Sequence, residues 1–147
     1  MKKINSALSI LLALLLTLSC LTLAACQRPE PTPEDELWKN AFYTEDTELG
    51  SGSKTVYVEV KTENKSVTFT IHTDKENLAD ALLEHSLVGG DNSQFGLYIK
   101  KLNGITADYD VDQTYWALTK SGEKLNYGAS SASVSDGDHY EFTRTIS

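Results

Sequence analysis

VYVEVKTENKSVTFTI, residues 56–71, carries the clearest structural pattern in the chain. Apolar and polar side chains alternate from Val56 to Val60 and again from Val67 to Ile71, which is the period of a strand that buries one face. The two runs are separated by Thr62-Glu63-Asn64-Lys65, a polar segment of hairpin length. We therefore predict an antiparallel β-hairpin.

A helix is predicted directly after this hairpin. Thr73-Asp74-Lys75-Glu76 has the residue types of a capping box, in which the threonine oxygen and the glutamate each accept a backbone N–H. Apolar side chains then recur at helical spacing from Leu78 to Leu87. Gly89-Gly90 is predicted to end the helix, because glycine tolerates the left-handed conformation of a C-terminal cap.

Strand signals return after the helix, at 97–102, 114–120 and 123–127 and around Tyr140-Glu141-Phe142. A hairpin followed by one helix and several strands indicates an α+β domain. A mixed sheet with one packed helix, in which the final strand lies beside the first, is a β-grasp-like arrangement. We predict this fold for residues 54–147, a length that just sustains a core without disulfides or metal.

The amino end has the pattern of an export signal. Lys2 and Lys3 precede an apolar run over 7–25, which ends in Leu23-Ala24-Ala25-Cys26. Small residues before a cysteine are typical of a lipoprotein cleavage site. We therefore predict a lipoprotein signal peptide over 1–25 and lipidation of Cys26, which would anchor the protein on the extracellular face of the cell membrane. The alternative is an uncleaved membrane anchor, since the run is near the lower length limit for a bilayer span.

Residues 26–53 are predicted to form a flexible, disordered acidic stalk. Their composition is rich in Pro, Glu, Asp and Thr, and such segments bury too little apolar area to offset chain entropy. One patch, Leu37–Tyr43, departs from this composition because it contains three aromatic residues. It is either a short helix docked on the domain or an exposed recognition segment. Docking is favoured, because exposed aromatic clusters are unfavourable unless a partner covers them.

Composition excludes several classes of function. The formal net charge is −8, and an acidic protein repels nucleic acid, so no nucleic-acid partner is expected. The two cysteines, Cys20 and Cys26, lie in or beside the predicted signal, which excludes thiol catalysis and zinc–thiolate sites. No serine stands in a nucleophile-elbow or Ser-x-x-Lys motif, so an enzyme is not expected. The acidic run 108–112 opens like a calcium loop, but Gln113 stands where the loop needs glycine.

Several short motifs are spread over residues 41–146. They are Tyr43-Thr44-Glu45-Asp46-Thr47-Glu48-Leu49-Gly50, Thr73-Asp74-Lys75-Glu76, Gly96-Leu97-Tyr98, Leu102-Asn103-Gly104-Ile105-Thr106-Ala107-Asp108-Tyr109, Tyr115-Trp116 and Asp136-Gly137-Asp138 before Tyr140-Glu141-Phe142. In these motifs the protein resembles a family of domains of unknown function found in lipoproteins and cell-wall proteins of Gram-positive bacteria. That family is similar to the C-terminal β-domain of transcobalamin and intrinsic factor, which closes over a corrinoid held against a helical barrel. No such barrel is expected within these 147 residues.

Tyr115-Trp116 is the leading candidate for a binding surface. Neighbouring strand residues point to opposite faces, so one aromatic ring should enter the core while the other is presented outward. The outward ring either covers the sheet edge or the stalk patch at Trp38, or it offers a flat apolar surface to a planar ligand or a sugar. The resemblance implies a corrinoid as ligand, with Tyr115, Trp116, Asn103, Gly104 and Gly128 near the contact surface.

The sequence therefore predicts a membrane-anchored, non-enzymatic extracellular binding domain, with a corrinoid as the ligand implied by the resemblance. The alternative is a protein–protein interaction or cell-surface assembly module without a small-molecule ligand. A hydrolase of the cell envelope is a third hypothesis, which would depend on His72 or His139. No cofactor is expected apart from a corrinoid bound as ligand.

Overall fold

The computed structural model describes residues 28–147, and it contains the predicted hairpin. Its strands, Lys54–Lys61 and Ser66–Thr73, pair antiparallel from Lys54↔Thr73 to Lys61↔Ser66, in the register that places the alternating apolar side chains on one face. The predicted signal peptide and Cys26 lie outside the described residues. Within the described part, no helix is both long and apolar enough to cross a bilayer. The elements, in sequence order, are α1 (Pro33–Trp38), β1 (Thr47–Gly50), β2 (Lys54–Lys61), β3 (Ser66–Thr73), α2 (Leu78–Leu83), β4 (Val88–Ser93), β5 (Gly96–Leu102), β6 (Ile105–Thr106), α3 (Tyr109–Asp112), β7 (Thr114–Lys120), β8 (Glu123–Lys124), a 3₁₀ turn (Ala129–Ser131) and β9 (His139–Ile146).

The prediction of a mixed α+β fold is confirmed. The main sheet has six strands in the order β1-β3-β2-β9-β7-β8, and a smaller sheet has the order β4-β5-β6. The final strand, β9, inserts between the hairpin and β7, running parallel to β2 and antiparallel to β7. This is the predicted position beside the first hairpin strand. The inner face of the main sheet and helix α2 form the core, in which Val58, Phe69, Leu78 and Leu82 are fully buried.

The bounds of helix α2 differ from the prediction. The helix begins at Leu78, and its N-cap is Asn77, whose side chain accepts the backbone N–H of Asp80. Thr73 is instead the last residue of β3, paired with Lys54, because the sheet ladder extends that far. The helix ends at Leu83, and the two glycines predicted to cap it lie in strand β4.

The predicted boundary between stalk and domain, after Ser53, also differs from the structure. The folded unit begins at Thr32, since residues 33–38 form α1 and residues 47–50 form β1, a parallel edge strand beside β3. The segment is polar in composition, but Trp38 gives it an apolar contact with the core. Its side chain is 7% exposed, and its Nε1–H donates to the Thr62 hydroxyl at 2.8 Å. The patch at 37–43 is therefore docked through Trp38, although the helix ends at Trp38 and Phe42 is 58% exposed.

Glu34 ties the start of α1 to the turn of the hairpin. Its carboxylate accepts the backbone N–H of Asn64 at 2.7 Å and that of Lys65 at 3.2 Å, and it also bonds the Asn64 side chain and the Thr62 hydroxyl. Burial raises the pKa of Glu34, but these hydrogen bonds together outweigh it and lower the pKa from its ordinary value of 4.5. An acidic residue typical of a solvated stalk is thus part of the tertiary structure.

Candidate functional site

A cleft of about 680 Å³ runs along one side of strand β7. Strand β5 forms its opposite wall, and the segment 124–129 closes its end. Six of the 17 lining residues are aromatic, and three of these side chains are exposed: Phe95 is 80%, Tyr98 46% and Tyr127 47% accessible. A concave apolar surface with a few polar groups is the usual form of a small-molecule site. The lining residues are Gln94, Phe95, Leu97, Tyr98, Ile99, Tyr115, Trp116, Ala117, Leu118, Lys124, Leu125, Asn126, Tyr127, Gly128, Ala129, Ser131 and Phe142.

The cleft exists because β7 lacks a neighbour along most of its outer edge. Strand β8 is only two residues long and pairs with Thr119 and Lys120 alone. One more hydrogen bond, from the Leu125 N–H to the Leu118 carbonyl at 3.2 Å, follows before the polypeptide leaves the sheet. The space that a longer strand would fill is therefore open between β7 and the smaller sheet.

The sequence correctly predicted that Tyr115 and Trp116 face opposite ways. Trp116 is 8% exposed and belongs to the core, whereas Tyr115 is half-buried on the other face of the sheet. Both residues line the cleft, because it wraps around the free edge of the strand that carries them. The Trp116 indole N–H is buried and has no hydrogen-bond partner within residues 28–147.

Gly128 also lines the cleft, directly before the 3₁₀ turn. That turn is held against β5, since the Ser130 hydroxyl accepts the Leu97 backbone N–H at 3.0 Å. A methyl group placed on Gly128 would meet no atom within 4 Å, so this position is open. Tyr115, Trp116 and Gly128 are thus brought together, as the proposed contact surface requires.

Asn103 and Gly104 lie elsewhere and have a structural role. Asn103 is completely buried, and its carboxamide accepts the Tyr43 N–H at 3.0 Å and donates to the Tyr43 carbonyl at 2.8 Å. Gly104 has φ +79°, and a Cβ there would lie 2.0 Å from the Asn40 carbonyl oxygen. Both residues hold the segment that follows α1 against the domain. They are not among the residues that line the cleft.

Two of the exposed aromatic residues of the cleft, Phe95 and Tyr127, were missed by the sequence reasoning. Phe95 and Tyr127 each stand directly before a glycine, in Gln94-Phe95-Gly96 and Asn126-Tyr127-Gly128. An aromatic residue in a glycine-containing turn is a signal of exposure that could have identified both. Their convergence on one cleft depends on the two sheets meeting, which no local pattern reports.

The cleft differs in charge from the rest of the protein. The sequence contains 21 acidic residues, yet none of them is among the cleft-lining residues, and within residues 28–147 Lys124 is the one charged residue of the lining. A cleft without carboxylates offers no counter-charge to a cation. Its composition therefore fits an uncharged ligand with a large flat apolar surface.

The acidic run at 108–112 does not form a calcium loop. Asp108 caps helix α3 by accepting the Asp110 N–H at 3.1 Å, and Asp112 pairs with Arg144 at 2.9 Å. A hydrogen bond from the Thr114 hydroxyl, reinforced by Arg144, lowers the pKa of Asp112. Across residues 28–147, no group of three or more His, Cys, Asp or Glu side chains is arranged to hold a metal ion.

The histidines are spread over the surface rather than gathered in one site. His72 lies between the Thr55 hydroxyl, 3.0 Å from its Nδ1, and Glu48, 2.5 Å from its Nε2. The Nε2 atom of His139 lies about 4 Å from the carboxylates of both Glu59 and Glu141, with no hydrogen bond within the described residues. Neither histidine lines the cleft.

Comparison with known proteins identifies relatives of this domain. Residues 76–145 match the family described as Domain of unknown function (DUF4430). The crystal structure of a candidate metal-binding protein from Ruminococcus gnavus ATCC 29149 is 34% identical in sequence, with a TM-score of 0.61. The similarity covers 65% of this chain and 99% of that one. No curated protein matches the sequence.

Haptocorrin, solved in complex with Cbi, is 22% identical, with a TM-score of 0.52. The match covers 67% of this chain but 26% of haptocorrin, so the likeness concerns one part of that protein and its fold alone. It agrees with the resemblance to the β-domain of transcobalamin-type proteins that the sequence motifs indicate. The protein therefore belongs to the DUF4430 family of domains of unknown function, and its folded part shares the fold of one part of haptocorrin.

Proposed function

We propose that this protein is a membrane-anchored, non-enzymatic extracellular binding domain that takes a planar ring ligand into the cleft along β7. The observation that carries the proposal is the set of exposed aromatic rings at Phe95, Tyr98 and Tyr127 around a concave surface. Rings of this kind gain free energy by stacking on a flat ligand. A corrinoid is the ligand class to test first, because haptocorrin, which shares the fold, was solved in complex with Cbi.

Residues 32–147 are suited to this test. They form one compact unit with its own core. The similarity to the Ruminococcus gnavus chain covers 99% of that chain and 65% of this one, so a domain of closely similar fold has been crystallised by itself.

We expect purified 32–147 to bind dicyanocobinamide, as measured by a change in the corrin absorbance and by co-elution at tens of micromolar. Phe95→Ala and Tyr127→Ala should each weaken binding by about 5- to 10-fold, which corresponds to the loss of about one aromatic stacking contact. Both side chains are exposed, so the fold should tolerate their removal.

Tyr109→Ala is the matched control for these variants. Tyr109 is 48% exposed, like Tyr127, but it does not line the cleft. Its replacement should leave the affinity unchanged. If no spectral change and no co-elution occur, the corrinoid proposal fails. The alternative of a surface-assembly module then requires that Phe95→Ala disrupts capture of a partner protein from the native cell surface.

The membrane anchor is the second part of the proposal, and it rests on the motif Leu23-Ala24-Ala25-Cys26. Intact-mass spectrometry of protein from native membranes should show loss of residues 1–25 and a diacylglyceryl group on Cys26. Cys26→Ser should abolish the lipid and leave the protein unprocessed. Cys20→Ser is the control and should be processed normally. Recovery of the initiator Met1 in the wild-type protein would contradict this part of the proposal.

A further inference from the structure

The folded unit begins at one end of the main sheet. Its first residue is Thr32, and α1 follows at once. Helix α1 lies at the turn between β2 and β3, because Glu34 accepts backbone N–H groups of that turn and Trp38 donates to Thr62. We call this the tether end of the sheet, since the proposed lipid on Cys26 would hold the protein from this side.

Two further elements meet at the tether end. Strand β9 runs parallel to β2, so its last residues lie level with the β2–β3 turn. Helix α3 directly precedes Thr114, which pairs with Ile146 of β9. An ion pair from Arg144 to Asp112, at 2.9 Å, holds α3 against the same part of β9. The tether end therefore comprises α1, the β2–β3 turn, α3 and the carboxyl-terminal part of β9.

Exposed apolar side chains gather at the tether end. Outside the cleft, the three most exposed large apolar side chains of residues 28–147 are Val111 at 80%, Ile146 at 74% and Phe42 at 58%. Val111 lies on α3, Ile146 at the end of β9, and Phe42 in the segment that follows α1. Tyr109, also on α3, is 48% exposed. Apolar groups exposed together mark a surface that another molecule covers.

The proposed anchor is close to these side chains along the sequence. Cys26 precedes Thr32 by six residues, which span at most about 22 Å when fully extended. Strand β2 has eight residues and is about 25 Å long. A domain standing on the opposite end of the sheet, at the turn 135–138, would therefore need a longer tether. Attachment at such short range also gives the tether end a high effective concentration of lipid, so a weak apolar contact is sufficient.

The charges at the tether end indicate what kind of lipid contact is possible. Lys65 pairs with Asp35 at 2.5 Å and Arg144 pairs with Asp112, so these basic groups have little charge to offer to anionic head groups. Asp110 on α3 is exposed. The contact should therefore depend on apolar insertion and change little with ionic strength.

We propose that the tether end rests on the membrane surface, with Val111 and Ile146 inserted among the lipid head groups and with Phe42 and Tyr109 beside them. This inference rests on the proposed lipid anchor. It deepens that proposal, because it assigns the protein a fixed orientation in which the turn 135–138 faces away from the membrane.

The test uses residues 26–147, in which Cys26 is the only cysteine. Its thiol is coupled to a maleimide-bearing phospholipid in phosphatidylcholine vesicles, which supplies an anchor at this position without cellular lipidation. Val111→Trp reports insertion, because lipids brominated on their acyl chains quench a tryptophan that reaches them, and the uncoupled background of Trp38 and Trp116 is measured in the wild-type protein. We expect the introduced tryptophan to lose at least about half of its emission. The loss should be the same at low and high salt.

Ser135→Trp is the matched control. Ser135 is exposed in the turn at the opposite end of the sheet, so a tryptophan there should keep its emission. Equal quenching at the two positions, or quenching of neither, overturns the proposed orientation.

Hydrogen exchange provides a second measurement that needs no introduced tryptophan. Coupling the wild-type protein to vesicles should slow exchange of the amides at 109–113 by at least about 3-fold, and Val111→Asp should abolish the slowing. The amides at 121–123 should not change. If the amides at 109–113 are protected in concentrated 32–147 without lipid, the patch joins two copies of the protein and the membrane inference is overturned.

These outcomes are separate from the anchor proposal, because the lipid is attached chemically. If native Cys26 carries a lipid but the introduced tryptophan at position 111 is not quenched, the anchor stands and the orientation is wrong. If native Cys26 carries no lipid, the anchor proposal fails, and the quenching result still decides which end of the sheet contacts a lipid surface.

Discussion

Trp38→Ala should lower the free energy of unfolding of residues 32–147 by about 3–5 kcal/mol, the usual range for removal of a buried tryptophan. Trp38 is 7% exposed and packs with the core, although it precedes the predicted domain by about fifteen residues. Its loss removes the apolar contact of α1 and also the hydrogen bond to Thr62. Urea unfolding followed by circular dichroism measures the change.

Two further variants separate the contributions at this position. Trp38→Phe keeps most of the buried area and removes the indole donor, so it should destabilise by about 1–2 kcal/mol. Phe42→Ala removes an aromatic ring from the same segment, but that ring is 58% exposed and its loss should change stability by less than about 1 kcal/mol. If Trp38→Ala and Phe42→Ala have equal effects, the segment is not docked as the structure shows.

Asn103→Ala should destabilise the domain by about 3 kcal/mol. The change deletes both hydrogen bonds to Tyr43 and leaves that residue's N–H and C=O without their partner. Asn103 also has φ +52°, a left-handed conformation that asparagine tolerates better than alanine. The effect should fall on stability, and the folded variant should keep its affinity for any ligand of the cleft. Urea unfolding and the corrin titration together measure this difference.

Asn103→Gly and Asn92→Ala are the controls for this prediction. Glycine loses the same hydrogen bonds but adopts the positive φ without strain, so it should be about 1 kcal/mol more stable than the alanine variant. Asn92 is an exposed residue on β4, and its replacement should change stability by less than about 0.5 kcal/mol. If Asn103→Ala loses ligand affinity without losing stability, the structural role given to Asn103 is wrong and the residue belongs to the binding surface.

Local patterns were sufficient for the framework of the main sheet. The alternation at 56–60 and 67–71 predicted the hairpin and its buried face, and the order of elements predicted the final strand beside the first. The same period of two separated Tyr115 from Trp116. These predictions succeed because strand periodicity is a property of adjacent residues, and burial of one face selects a single register.

Local patterns were insufficient wherever one side chain acts on a distant part of the sequence. Glu34 lies in a proline-rich acidic segment whose composition is typical of a solvated stalk. Only the tertiary structure shows that its carboxylate accepts the backbone N–H groups of Asn64 and Lys65. Asn103-Gly104 has the residue types of an exposed turn. In the structure Asn103 is buried instead, and its side-chain oxygen accepts the Tyr43 N–H.

Local patterns along the sequence thus predicted the α+β class and the strand faces correctly, and they supply the motif on which the proposed export signal rests. Three-dimensional packing established where the folded unit begins, which aromatic rings share a cleft, and that β7 has a free edge at Trp116. The physical reason is the range of the interactions: strand and helix periods arise between neighbours. Cleft walls, docked segments and unpaired edges arise between residues tens of positions apart, and their pairing depends on the relative placement of whole elements.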